Sequence, residues 1–412
     1  MSVENKVQAL SGVAVIRAIP RSVIALGFVS LFMDISSEII HSLLPVFLVT
    51  VLGASALSIG FIEGIAEATS QVAKLFSGAI SDWIGKRKLL VLIGYGLAAL
   101  TKPLFPLASG VGMVLVARFI DRIGKGIRGA PRDALIGDVT PVELRGTAFG
   151  LRQAMDTVGA FVGPLLAMLL MAVSGDDFRL VFWIAVVPAI VSVLLILYGV
   201  QEPDAPARTE HRPFPIQPSE LRRLDLGFWW LVGIASVLTL GRFSEAFLLL
   251  AAEHVGLAVA LIPGVLVAMN IIYAASAYPF GRLSDTVSRR MLLAFGAIFL
   301  IAADVVLATA ATPWQVFAGA MLWGLHMGAT QGLLSTLVVD AAPADLRGTA
   351  LGIYNLITGG ALLVASVLAG SLWMAFGPAA TFIAGGAFAG IALLGMLPRQ
   401  PRANDGGGRC PS

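Results

Sequence analysis

The stretch GAISDWIGKRKLL, Gly78 to Leu90, returns in altered form as GRLSDTVSRRMLL, Gly281 to Leu293, 203 residues later. A second pair repeats at nearly the same spacing. PVELRGTAFG at Pro141–Gly150 answers PADLRGTALG at Pro343–Gly352, 202 residues apart. Two separate matches at one offset mark a duplicated unit. The residues around them say what the unit is made of. Of 412 residues, 57% are hydrophobic and 13% charged, and the mean hydropathy is +0.88. Soluble domains carry about 25% charged residues, and a helix needs about 20 mostly apolar residues to cross the hydrocarbon. This is the composition of an all-α, polytopic membrane protein.

Twelve spans are expected. The first six lie near 22–51, 57–80, 89–109, 111–131, 146–173 and 179–200; the second six lie near 227–251, 259–280, 291–311, 314–339, 346–375 and 379–397. Between the sets runs QEPDAPARTEHRPFPIQPSELRRLD, Gln201 to Asp225, too rich in proline and charge to cross a bilayer. The expected organisation is an N-terminal six-helix bundle over 1–200, a cytoplasmic linker over 201–225, and a C-terminal six-helix bundle with a short tail over 226–412. An even number of spans per unit makes the two halves parallel repeats about an axis along the membrane normal. Lys and Arg cluster in alternate connections: Lys86, Arg87 and Lys88; Arg132 and Arg145; Arg208, Arg212, Arg222 and Arg223; Arg282, Arg289 and Arg290; Arg347; Arg399 and Arg402. The opposite connections are short and nearly uncharged, Lys102 and Arg179 being the main exceptions. The positive-inside rule then places both termini in the cytoplasm. The formal charge of +3 is too small to suggest a nucleic-acid partner. A lone cysteine, Cys410, excludes an intrachain disulfide, and no cleavable signal peptide is evident.

The loop G-x-x-x-D-x-x-G-(K/R)-(R/K)-(K/R), which follows the second span and recurs degenerately after the eighth, resembles the signature of the major facilitator superfamily. The resemblance covers the whole chain and implies twelve helices in two parallel repeats. It also implies a cytoplasmic gate at Gly78, Asp82, Gly85, Lys86 and Arg87, with Asp285 in the second copy. Chemically, the glycines permit close approach, the aspartate accepts from a helix N-terminus, and the basic residues pair with carboxylates or lipid phosphates. A plain topogenic basic loop would not require the acid. In span four, Arg122-x-x-Lys125-Gly126 resembles the family's proton-coupling motif, with lysine in place of glutamine. Gly159-x-x-x-Gly163-Pro164 in span five resembles the antiporter motif of the superfamily's drug exporters, with Ala167 and Met168 where two further glycines would stand. The resemblance therefore favours export, from the inner (cytoplasmic) membrane of a bacterium.

The stretch LFMDISSEIIHSLLPVF, Leu31 to Phe47, sets Asp34, Glu38 and His41 at i, i+4 and i+7, on one helical face. Span two carries a matching stripe of Glu63, Glu67, Gln71 and Lys74. With a rise of about 1.5 Å per residue, Glu38 and Glu67 fall within about 2 Å of one depth, and His41 and Glu63 both lie roughly 7.5 Å outward of centre. Arg118, Arg122, Lys125 and Arg132 recur at helical spacing as a basic stripe on span four, and Asp121 also lies well inside the bilayer. Charge inside a bilayer is expensive and faces water or a partner. A carboxylate so placed can exchange protons near neutral pH. Asp34, Glu38, Glu63, Glu67 and Arg122 are thus the expected proton-coupling set, against a purely structural salt-bridge network. Further cavity candidates are His41, Arg118 and Asp121, the i, i+3 pair Arg242 and Glu245 on span seven, and His326, which reads more readily as a packing histidine. Asp304 is also placed near mid-depth. Trp229, Trp230, Trp314 and Trp373 read as interfacial anchors.

The expected function is proton-coupled secondary transport of a small molecule or ion, as an exporter. An alternative is export of a divalent metal, since one imidazole and several carboxylates suit such an ion, and D-x-S-S-E-x-x-H resembles bacterial nickel-resistance exporters. Their His-rich tails have no counterpart in ANDGGGRCPS. Import of a small organic solute is a further alternative. No nucleophile, metal cluster or cofactor motif suggests an enzyme, and no G-x-x-x-x-G-K-(S/T) loop suggests ATP-driven transport. No cofactor and no certain metal site is expected, and the expected state is a monomer in the lipid bilayer.

Overall fold

The fold was obtained as a computed structural model, which describes residues 19–84, 86–141, 144–201, 223–284, 286–343 and 346–396. Regular structure among them is helical throughout. The helices are α1 Arg21–His41, α2 Leu44–Thr50, α3 Ala56–Ile84, α4 Arg87–Thr101, α5 Val111–Val139, α6 Arg145–Ser174 and α7 Phe178–Gly199. They continue as α8 Leu226–Gly241, α9 Ala246–His254, α10 Pro263–Leu283, α11 Arg289–Ala308, α12 Pro313–Asp340, α13 Arg347–Phe376 and α14 Pro378–Met396. Local chemistry sets several starts. Asp177 accepts from the Arg179 and Leu180 amides at the head of α7, Asp225 accepts from Phe228 N, and Thr312 with Gln315 forms a capping box on α12.

Among the described residues, eight segments are long and apolar enough to cross a membrane: Arg21–Thr50, Arg145–Ser174, Phe178–Gly199, Leu226–His254, Val259–Leu283, Arg289–Ala308, Thr349–Phe376 and Pro378–Met396. Helices α3, α4, α5 and α12 pack among them. These four are shorter or more polar, and α3 and α5 carry most of the charges described below. The expected segments correspond to the helices within a few residues, with two differences. The first and seventh are each interrupted: α1 stops at His41, just before Pro45, and α8 stops at Gly241 with residues 242–245 unwound. The breaks sit at equivalent points of the two repeats.

One apolar core joins the halves at the end away from the basic loops, where Leu44, Phe47 and Leu48 of α2 and Phe247, Leu248 and Ala252 of α9 belong to the same cluster. Towards the basic end, each half has a core of its own among the described residues. Val23, Leu26, Tyr95 and Ile196 belong to one; Phe228, Val232, Val338 and Ile353 belong to the other. The exception is a seam between α3 and α13. Gly60 lies against the Ser366 carbonyl, Gly64 against Leu363, Gly359 against Gln71 and Gly370 against Ala56. A methyl on Gly60 would stand 2.1 Å from that carbonyl oxygen, so only glycine lets the two backbones approach this closely.

The loop motifs take equivalent roles. Arg87 bonds Asp138, and Arg289 bonds Asp340, both residues of each pair lying 202 positions from their counterparts. Gly85 and Asp285 of the expected gate lie outside the described residues, as do the surroundings of Gly78 and the side chain of Asp82. Lys86 is exposed. The greater part of the linker and the tail with Cys410 are likewise outside them. Among the tryptophans, Trp229, Trp230 and Trp314 are exposed, as anchors should be, whereas Trp373 packs on Phe247, His254 and Phe382.

Candidate substrate and coupling site

Two cavities open between the halves and share Arg242 and Leu362. The first, about 280 Å³, is walled by Glu38, Glu63, Glu67, Arg118, Arg122 and Lys125 on one side, with His41 and Pro45. Arg242, Phe243, Glu245, Leu266 and Trp323 face them. The second, about 240 Å³, continues past Gln71, His326, Gln331, Tyr354 and Asn355.

Glycine places the acids of α1. A Cβ on Gly159 would lie 2.9 Å from the Asp34 Cβ, and one on Gly163 would lie 2.5 Å from the Glu38 Cβ. Helix α6 therefore presses its G-x-x-x-G face against the turns of α1 that carry Asp34 and Glu38. Pro164, inside α6, adds no N–H at the same level. The three motif residues thus hold the acidic face in position.

The depth match expected between His41 and Glu63 is bridged by an arginine. Arg118 grips Glu63 with two bonds, Nε to Oε1 at 3.1 Å and Nη2 to Oε2 at 2.6 Å, and its Nη1 donates to His41 Nε2. Such bidentate pairs are strong and directional. Since arginine only donates, His41 accepts on Nε2 and carries its proton on Nδ1, which faces Glu38 Oε1 at 3.8 Å. One turn along α5, Arg122 pairs with Glu67 at 3.3 Å. Lys125, a turn further, is exposed to the cavity beside Glu67 and Asp34. Among the described residues, no arginine or lysine forms an ion pair with Glu38.

Several expected site residues stand elsewhere. Asp121 does not line the cavity. It is next to Arg122 on α5 and so points about 100° away, where Lys102 Nζ bonds its Oδ1 at 3.0 Å and also bonds Ser37 at 3.0 Å. Lys102 is fully buried, although its place at the end of an apolar run made it look like a loop exception. The chain folds it inward through the 3₁₀ turn Lys102–Leu104. Asp34 lies behind the cavity wall among Asp156, Arg128, Lys125 and Arg132, bonded to none of these basic residues. Arg132 instead bonds Ser30 at 2.8 Å and Tyr95 at 3.3 Å, with Arg128 stacked 4.4 Å over the same ring. Arg242 and Glu245 do not form a helical i, i+3 pair, because the backbone between them is unwound; each faces the cavity on its own. His326 is buried, with Nδ1 2.8 Å from the Gly296 carbonyl, as a packing histidine would be, while also bordering the second cavity. Sequence reasoning missed Lys102, Asp138 and Asp340. The aspartates were recoverable, since both precede the repeated Pro-x-x-Leu-Arg-Gly by the same three residues.

For a metal, the fit is poor. The Nε2 lone pair of His41 is taken by Arg118, and among the described residues no three His, Cys, Asp or Glu side chains gather as ligands.

The chain matches the Major Facilitator Superfamily family model over residues 26–250 and again over 231–408. It is 34% identical over 391 residues to an uncharacterized MFS-type transporter of Methanocaldococcus jannaschii, covering 92% of this chain and 95% of that one. It is 27% identical to the inner membrane transport protein YajR of Escherichia coli, over 83% of this chain and 75% of the relative. Its fold is similar to the crystal structure of the nucleoside transporter NupG, with a TM-score of 0.73 at 13% identity over 91% of this chain and 97% of that one.

Proposed function

The chain belongs to the major facilitator superfamily, and on that premise we propose that it is a proton-coupled secondary transporter that exports a small polar solute by alternating access. The observation that carries the reading is the unequal fate of the carboxylates in the cavity. Glu63 and Glu67 are each fixed by an arginine, whereas Glu38 faces the cavity with no ion pair to arginine or lysine among the described residues and with His41 3.8 Å away. A carboxylate without a fixed counter-ion at membrane depth favours proton exchange over permanent charge. Glu38 takes and releases the proton. Glu67–Arg122 and Glu63–Arg118 hold the field around it, and Asp34 tunes it from behind the wall. His41, Arg118, Arg242, Glu245 and His326 border the solute.

The size of the first cavity supports a small solute, since a water molecule occupies about 30 Å³ of liquid. Its walls bear both charge signs, which supports a polar cargo over a purely lipophilic one. In this reading the twelve-span topology holds, residues 1–200 and 226–412 are the two bundles, and 201–225 is the cytoplasmic linker. Both termini and the basic loops face the cytoplasm, so the cavity stands closed to the outside. Export is supported by the likeness of Gly159, Gly163 and Pro164 to the antiporter motif. The protein works as a monomer in the cytoplasmic membrane.

The test uses everted vesicles and a pH-sensitive dye, challenged with a panel of nucleosides, organic anions and cationic dyes. A cargo of the wild type should collapse an imposed pH gradient. Glu38→Gln should lose that response while keeping gradient-free exchange of the same cargo. Unchanged gradient collapse in a Glu38→Gln, Glu67→Gln double variant would reduce the cluster to a structural role.

A further inference from the structure

Helix α11 carries a carboxylate that the coupling scheme does not use. Asp304 is 1% exposed, and neither oxygen has a hydrogen-bond partner among the described residues. It stands where three elements meet. A Cβ on Gly385 of α14 would lie 2.8 Å from Asp304 Oδ2, 3.0 Å from the Gly241 carbonyl oxygen and 3.0 Å from the edge of the Phe243 ring. Gly241 is the last residue of α8, and Phe243 lies in the unwound segment before α9. The carboxyl group therefore rests against the break in the first helix of the C-terminal half.

An ionised carboxylate without a partner is strongly disfavoured in such surroundings. A neutral acid avoids this cost. The surrounding charges explain why the group is not simply ion-paired. Helix α14 contributes no titratable side chain. Helix α12 contributes His326, which is turned to the Gly296 carbonyl. The unwound segment contributes Arg242 and Glu245, both of which face the cavity. Arg242 is one residue from Phe243, whose ring borders Gly385 as Asp304 does, so a rearrangement of residues 242–245 can bring its guanidinium across.

We propose that Asp304 is a second proton-binding site, confined to the C-terminal half and gated by the α8–α9 break. In the conformation described here it holds its proton. When the break rearranges and Arg242 swings towards α11, the O–H bond breaks, the proton passes to cavity water, and a carboxylate–guanidinium pair forms in its place. The inference rests on the proton-coupled reading above but invokes a different residue, in the opposite half.

The probe is the proton itself. Purified full-length protein in lipid nanodiscs, in a Cys410→Ser background, carries a single reporter cysteine at Leu248, buried where α2 meets α9. Two quantities are followed against pH: the infrared band of protonated carboxyl groups and the rate of reporter labelling. Asp304→Asn should remove one component of the band at neutral pH, and it should abolish the several-fold rise in labelling that alkaline pH produces in the wild type. Glu38→Gln should leave that component and the rise in place. An Asp304→Asn spectrum identical to the wild type overturns the proposal. So does a labelling response that survives Asp304→Asn and vanishes in Glu38→Gln, which would leave the Glu38 reading standing alone. A response to sodium at fixed pH, in place of the response to protons, overturns it as well. A third variant, Asp304→Leu, reads folding: correct assembly with no pH response supports the proposal, and a retained response refutes it.

Discussion

The two walls of the cavity come from duplicated sequence yet are built on opposite principles. Apart from Glu38, the acids of the N-terminal wall are committed, Glu63 to Arg118 and Glu67 to Arg122, and behind the wall Asp121 is held by Lys102. On the C-terminal wall Arg242 and Glu245 bond no opposite charge among the described residues, nor does Asp304 behind it, and Phe243 packs on Trp323 and Phe382 in edge and tilted contacts of 5.4 to 5.6 Å. Away from the cavity the halves still agree, since Arg87–Asp138 and Arg289–Asp340 repeat at one offset. Duplication has kept the loops alike and let the interior diverge. The N-terminal wall reads as a fixed electrostatic frame, and the C-terminal wall as the part whose charges are free to change partners.

The largest test of that contrast is Glu63→Gln. It strands Arg118 in the interior, and breaking a buried pair from one side costs about 3–5 kcal/mol. The thermal unfolding midpoint of the purified protein should fall accordingly. Replacing both partners, as Glu63→Leu with Arg118→Met, should recover much of the loss. If the single change is silent, the N-terminal frame is not rigid and the contrast collapses. A middle-sized effect is expected from Gly163→Ala, because its methyl would meet the Glu38 Cβ at 2.5 Å and the Ile35 carbonyl oxygen at 3.1 Å. Overpacking of this kind costs about 1–3 kcal/mol, and gradient-driven transport should fall with it, since Glu38 is displaced. The smallest effect separates the repeated loop pairs. Surface ion pairs are worth about 0–1 kcal/mol. Arg87 is nearly buried while Arg289 is a third exposed, so Arg87→Gln should lower the midpoint measurably and Arg289→Gln hardly at all. Equal losses would show that the two halves are more alike than their burial indicates.

Much of this architecture was legible in the sequence, because membrane helices announce themselves through apolar length and the duplication announces itself through spaced motifs. The depth arithmetic for His41 and Glu63 held, since both residues sit on regular helix and a single arginine joins them. It failed where the backbone leaves the helix. Arg242 and Glu245 were paired on a helical wheel that does not exist at residues 242–245. Asp121 was assigned to the cavity by depth, but depth fixes only one coordinate. Its direction depends on which neighbours surround α5, and that is tertiary information. Lys102 shows the same limit from the other side, since a lysine beside a proline at the end of an apolar run gives no sign of the buried aspartate that receives it.

The glycine seam between α3 and α13 has a mechanical consequence. Contacts at Gly60, Gly64, Gly359 and Gly370 hold α3 close to α13 over several turns, whereas α6 meets α10 less extensively, around Met168 and Gly264. A body held along one edge and lightly latched on the other turns about the held edge. The α3–α13 line is then an axle, and displacement during a transport cycle grows with lever arm across the molecule. Distance probes placed across α3 and α13 should stay nearly still, while probes across the basic ends of α6 and α10 should sweep the full stroke.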